Sequence, residues 1–252
     1  MAKKQNLLKN LLTSVSVASI VASIGGSSGA FAAADIGGAV NLSAIAGFGV
    51  GGAGGALNFN EAGTTLTVDA ISEGNITDIT MTKDGSIIIN RDIQITGKVT
   101  EVGANHMPAT ISNNKTLTLS GVEHTGLWAV TLNGEGSTLV LEHDAILPEA
   151  NAVITTNADG KGILTFKQAG TVTGHIGTNA AALAQINIGA NAAGGDVILR
   201  GDVFTRRLVF NNASEVKIAG NFGGGDNAIA GASAVNFGAG GTITFQWWTK
   251  SG

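Results

Sequence analysis

The chain has 252 residues, 38 of them Gly, with no Cys and no Tyr. Charged residues make up 13 % and the formal net charge is −4, so there is no basic field to hold nucleic acid or anionic lipid, and neither disulfides nor thiolate chemistry is available. Aromatic residues are only 5 %, which weakens base stacking as a function, while 44 % apolar residues is not the composition of a disordered chain.

Residues 1–34 have the layout of a secretory signal peptide. Lys3, Lys4 and Lys9 form a positive start, residues 11–24 carry no charge, and Ala30-Phe31-Ala32-Ala33-Ala34 supplies small residues for cleavage after Ala32 or Ala34. As a helix the uncharged run measures about 21 Å, short of a bilayer core of about 30 Å. An uncleaved anchor is the alternative. No later segment reaches spanning length and hydrophobicity, so no membrane span is expected in the mature chain.

Residues 35–62 are a Gly/Ala-rich lead-in, expected to be poorly ordered or an imperfect first coil, since each Gly in a strand costs about 0.5–1 kcal/mol relative to Ala. Gly47, Gly49 and Gly52 match G-x-G-x-x-G. A dinucleotide loop needs a helix next, and the strand-like Leu57-Asn58-Phe59 follows instead, so no cofactor is expected.

From residue 63 to 245 a short phrase repeats: alternating apolar and Thr-type residues closed by Gly or Asn. It occurs as Leu66-Thr67-Val68, Ile93-Gln94-Ile95, Leu117-Thr118-Leu119, Leu139-Val140-Leu141, Leu164-Thr165-Phe166, Val197-Ile198-Leu199, Val216-Lys217-Ile218 and Ile243-Thr244-Phe245. Alternation at period two places one set of side chains on one face of a strand. Strands this short cannot bury a core alone and must stack on copies of themselves. Asp84-Gly85, Asn113-Asn114, Asn133-Gly134, Asp159-Gly160, Gly194-Gly195 and Asn211-Asn212 supply the turns. Comparable run centres lie 22 residues apart from Leu117 to Leu139, then 25 to Leu164, 33 to Val197 and 19 to Val216. One or two helical turns are expected over residues 179–185, where Ala180-Ala181-Ala182-Leu183-Ala184 has good propensity. The predicted fold is all-β, an elongated parallel β-helix; a β-sandwich joined by Asn-Gly and Asp-Gly hairpins is the alternative.

Candidate chemistry is sparse. Arg200-Gly201-Asp202 is a tripeptide used by some integrin ligands, and it is the one adhesive candidate, although Gly-Asp between two apolar runs is ordinary turn chemistry. His124 and His143 lie 19 residues apart, each after a Glu, a spacing at which residues of neighbouring coils can stack and bind Zn²⁺ or move protons. No close-spaced ligand pair supports a metal site, so these two, with His106 and His175, are read as solvated loop residues. Gly223-Gly224-Gly225-Asp226-Asn227 is one imperfect copy of a calcium-binding nonapeptide, which needs tandem copies. Acidic residues are scattered, Asp159 and Lys161 flank a turn, and Arg206-Arg207 is the only basic doublet after the signal. No catalytic residues, metal ligands or enzymatic activity are expected.

Asn114-Lys115-Thr116-Leu117-Thr118-Leu119-Ser120-Gly121 resembles a signature of rickettsial surface cell antigens. The stretch Gly170-Thr171-Val172-Thr173-Gly174-His175-Ile176-Gly177-Thr178-Asn179 is similar to their passenger repeats, and the likeness runs on through Ala180-Ala181-Ala182-Leu183-Ala184-Gln185-Ile186-Asn187-Ile188-Gly189. The resemblance implies a signal peptide, a long surface passenger and a C-terminal β-barrel translocator. It implies an adhesin or surface-layer role, with host-cell surface proteins or neighbouring surface molecules as partners, and a place on the cell surface. A spanning barrel needs many amphipathic strands of about 9–11 residues, and none follows. Residues 246–252, Gln-Trp-Trp-Thr-Lys-Ser-Gly, break the repeat pattern and suggest a truncated or split coding sequence; without the barrel the product is periplasmic or secreted. A β-helical carbohydrate-active enzyme and a non-functional remnant of an autotransporter gene are the alternatives.

Overall fold

A computed structural model describes residues 33–45, 48, 54–69, 76–147, 153–191, 195–223, 234–238 and 240–245. Most of the signal segment, the Gly47, Gly49 and Gly52 loop, residues 224–227 and the tail 246–252 lie outside the described residues.

The described chain is a parallel β-solenoid of about eight turns. Three sheets run along it, and each is built by adding one short strand per turn. The first face holds Ala34–Ile36, Gly55–Phe59, Ile76–Met81, Ile93–Ile95, Thr116–Leu119, Thr138–Leu141, Lys161–Phe166, Leu183–Ile188, Arg207–Phe210 and Ala234–Asn236. The second runs from Ala39–Asn41 through Thr64–Val68, Gly85–Ile89, Met107–Ser112, Leu127–Asn133 and Val153–Thr156 to Phe222–Gly223. The third begins later, at Ala145–Leu147, and continues through Gly170–Val172, Val197–Leu199 and Ser214–Ile218 to Gly241–Phe245. Ile76–Met81 forks: Ile76 pairs with Ile95, while Ile79, Thr80 and Met81 pair with Val99, Thr100 and Glu101.

Alternation explains why these residues form rungs. In Thr64–Val68 the first, third and fifth side chains are buried, and in Lys161–Phe166 Gly162, Leu164 and Phe166 are. Parallel register then puts like on like: Ile93 on Leu117, Leu117 on Leu139, Leu139 on Leu164, Leu164 on Ile186 and Ile186 on Leu208. These columns merge into one apolar core along the axis. Each fully buried Val, Leu or Ile stabilises by about 1.5–3 kcal/mol, which lets a Gly-rich chain hold together only when many rungs share it.

The sandwich alternative is overturned, because every paired strand is parallel to its neighbours. The one antiparallel bridge among the described residues joins Thr178 to Ala181. That bridge also corrects the expected helical turns over residues 179–185. Asn179 and Ala180 form a tight turn, closed by backbone hydrogen bonds between Thr178 and Ala181 of 3.0 and 3.1 Å. Leu183–Ile188 is a strand that buries Leu183, Ile186 and Ile188. A helix preference of a few tenths of a kcal/mol per residue is small beside three buried apolar side chains. The irregular spacing is corrected too. Leu164 pairs with Ile186, 22 residues on, whereas Val197 lies on the third face over Gly170. The step of 33 mixed two faces; the 19-residue step from Val197 to Val216 is a true rung.

Candidate functional site

The outer surface of the solenoid is mostly a set of short polar ladders. Gln94 Nε2 donates to Ser120 Oγ at 2.6 Å and Ser120 Oγ donates to Glu142 Oε2 at 2.5 Å. Lys167 completes this row through its ammonium on Glu142 Oε1. Burial alone would raise the Glu142 carboxyl, but the hydrogen bonds from Lys167 and Ser120 outweigh it and hold the group below its ordinary range. Asn157 Nδ2 donates to Asn133 Oδ1 at 2.6 Å and Asn187 Nδ2 to Thr165 Oγ1 at 3.1 Å in the same manner.

A groove lies beside these ladders among the described residues. It opens where four successive second-face strands begin, has a volume of about 420 Å³, and is lined by Gly63, Thr64, Asp84, Gly85, Ser86, His106, Pro108 and Trp128. Its wall is made by a bulge. Register passes from Leu127 opposite Met107 directly to Ala129 opposite Pro108, so Trp128 has no partner on the neighbouring strand. A bulge re-aims the side chain of its extra residue. Here the indole turns outward and lies against the His106 ring of the preceding coil, with centroids 4.1 Å apart and planes tilted by 32°. Gly85 lies in the floor, where the core beneath leaves no room for a side chain: a Cβ there would sit 2.3 Å from the buried Phe59 ring.

His106 is held from two sides. Its backbone N–H donates to Asp84 Oδ1 at 2.8 Å. Its ring Nδ1 lies 3.3 Å from Glu101 Oε2, and both of these buried atoms lack a hydrogen bond. Asn105 fixes the preceding loop by donating from Nδ2 to the Val102 and Thr82 carbonyls at 2.6 and 3.0 Å. Ser86 Oγ is 3.0 Å from Thr65 Oγ1. The site was not foreseen from sequence. The available signal was local: Leu127, Trp128, Ala129 and Val130 do not alternate, as their burial confirms.

The Arg200-Gly201-Asp202 triplet forms the corner between Val197–Leu199 and Val203–Phe204. Arg200 is exposed, but Asp202 is tied down. Its Oδ1 accepts from the Asn221 backbone N–H at 2.8 Å and from Asn221 Nδ2 at 3.0 Å, and its own N–H donates to His175 Nδ1 at 3.0 Å. Gly201 has no room for a side chain, since a Cβ would lie 2.4 Å from the Gly174 carbonyl oxygen. Asp202 belongs to a recurring device. Asp78, Asp84, Asp92 and Asp159 likewise accept the backbone N–H of Lys98, His106, Thr116 and Ala182 on the next turn, at 2.8 to 3.1 Å.

His124 is not a solvated loop residue; it is fully buried. The Val99 N–H donates to its Nδ1 at 3.3 Å, and Nε2 lies 3.1 Å from the Gly121 carbonyl oxygen. This network assigns a neutral ring protonated at Nε2. Burial lowers its pKa, against a smaller raising effect of the Gly121 carbonyl. Both nitrogens face backbone, so His124 and His143 do not form a shared site. His143 is exposed, with a left-handed backbone (φ 45°), and His175 is exposed beside Asp202. Arg206 reaches back two turns to Asp159, Nη2 to Oδ2 at 2.5 Å. Among the described residues no group of three or more His, Asp or Glu is placed to hold a metal.

The chain is similar to Outer membrane protein A of Rickettsia rickettsii. The two are 31 % identical over 151 residues. The match covers 48 % of this chain and 6 % of the rickettsial protein. No family profile matches the chain, and no solved structure does. Among the described residues no helix is long and apolar enough to cross a membrane.

Proposed function

We propose that the chain is a segment of an exported surface-antigen passenger of the autotransporter type, with a structural and host-cell-binding role. The observation that carries this reading is the parallel solenoid with polar ladders on its outside, together with the likeness to a rickettsial outer membrane protein. A stacked rod of this kind offers a long lateral surface to a partner, and its stability does not depend on any one loop. The passenger reading requires a translocating β-barrel to place it on the cell surface. The proposed role involves no catalysis; in support, among the described residues a single carboxylate, Asp84, lines the groove, whereas glycoside hydrolysis ordinarily needs a pair.

Two measurements test this. Antibodies raised against the chain should label intact producing cells, and external protease should remove the label; labelling only after permeabilisation would overturn surface display. Purified chain should bind cultured host cells saturably, and Asp202→Glu should leave that binding unchanged, because Asp202 serves a coil-to-coil tie. A loss of binding in a folded Asp202→Glu variant would make the tripeptide the adhesive element instead.

A further inference from the structure

We propose that the groove walled by Trp128 and His106 binds a short neutral oligosaccharide. The proposal rests on the adhesive reading above and gives it a chemical class of ligand. Three features of the groove converge on this class. The indole of Trp128 is held outward by a bulge and braced by the His106 ring, so it presents a fixed apolar plate of the kind that stacks on the C–H face of a pyranose ring. Around the plate stand groups that exchange hydrogen bonds with hydroxyls: Asp84, whose Oδ1 accepts from the His106 backbone N–H, and the Ser86 hydroxyl. An apolar plate with a few placed polar groups is the usual make-up of a small-ligand site.

The dimensions agree. The groove crosses the starts of four rungs, which at about 4.8 Å per rung gives a length of about 14 Å, enough for on the order of three sugar rings. The charge selects among sugars. Among the described residues Asp84 is the only acidic side chain lining the groove and no Lys or Arg lines it, and Glu101 stands behind His106 at 3.3 Å. Sialylated or sulfated glycans would meet this negative wall with no Lys or Arg among the described residues to pair with, so an uncharged glycan is the one that fits.

The chain allows a direct optical test. It has no Tyr and three Trp, at positions 128, 247 and 248, so the full chain carrying Trp247→Phe and Trp248→Phe leaves Trp128 as the sole strong fluorophore. Titration with cellotriose, with the β-1,4-linked N-acetylglucosamine trimer and with a lactose-containing neutral trisaccharide should give a saturable emission shift with at least one of them. A sulfated heparin oligosaccharide and choline should give none. By calorimetry on the otherwise unaltered chain, Trp128→Ala should weaken binding at least tenfold and Asp84→Asn severalfold, with far-UV circular dichroism unchanged. Asn keeps an oxygen for the His106 N–H, so this second variant retains the coil tie if Trp128→Ala fails to fold. No saturable response to any of the three sugars at millimolar concentration would overturn the proposal. So would undiminished binding in folded Trp128→Ala or Asp84→Asn, or saturation by choline or heparin alone. Host-cell binding separates this from the wider reading: cells bound without any response to sugars sinks the groove proposal only, and sugars bound without any attachment to cells sinks the adhesive role only.

Discussion

Single side chains decide how tightly one turn is held to the next. His124 is the clearest case because it is buried, neutral and bonded to backbone on both ring nitrogens. Its folded-state pKa lies below the ordinary 6.5, so its contribution to stability is fully present above that pH. The contribution is lost as pH falls below the unfolded value and through the folded one, because the unfolded chain takes up the proton first. Urea midpoints measured from pH 7.5 down to about 5 should therefore fall for the wild type, and the slope should flatten in His124→Gln. An unchanged slope would mean that the ring does not titrate between the two states. Glu142 acts at lower pH with the same sign: its stabilising share is present above the ordinary carboxylate range and disappears as pH falls through its depressed folded-state pKa. Glu142→Gln should remove that acid limb. Neither role could be read from sequence. A Glu-His pair looks like a solvated loop until the fold places Gly121 beneath one ring nitrogen and Val99 beside the other.

At the scale of strands and turns, the repeated Leu-Thr-Leu phrase was enough to give the strands and their buried residues. It does not say which face a run occupies. Leu164-Thr165-Phe166 and Val197-Ile198-Leu199 read alike but lie on different sheets, because the turns that precede each run, not the run itself, set the face. Local preference misled at Ala180-Ala181-Ala182, where stacking Leu183, Ile186 and Ile188 on the strand below outweighs helix propensity. The Trp128 bulge was out of reach for a different reason: an extra residue is defined only against a neighbouring strand whose register is already known. Deleting Ala129 tests that device. It should restore alternation after Leu127, turn Trp128 toward a regular rung position and remove its contact with His106. The measurement is loss of the indole-shifted His106 proton resonances by NMR, and their persistence would mean that the bulge does not aim the ring.

The described residues form one apolar column enclosed by two sheets, with a third joining from Ala145 onward, each rung supported by its neighbours. Stability in such a stack is close to a sum over rungs and their interfaces. Truncation in the middle should be costly: Ile186→Ala, between Leu164 and Leu208, should lose about 2–5 kcal/mol in urea unfolding. Val40→Ala, in the three-residue strand Ala39–Asn41, should cost well under half as much, since that residue is less completely enclosed. Equal losses at the two positions would contradict a rung-by-rung assembly. Hydrogen exchange should agree, with the slowest amides in Lys161–Phe166 and Leu183–Ile188 and faster ones toward the first described turn.

The backbone hydrogen bonds between rungs run along the rod, and so do the Asp-to-next-turn ties. A pull on the two ends therefore loads the junctions one after another, as links in a chain. The first to part should be where, among the described residues, the pairing taken over all faces is smallest, between the strands at Ala34–Ile36 and Ala39–Asn41 and the turn that follows them, with three register pairs on each of two faces. Beyond that point each further turn would have to be peeled off separately, so a shear force at a cell boundary would be absorbed in small successive losses of length while the remaining rod kept its shape.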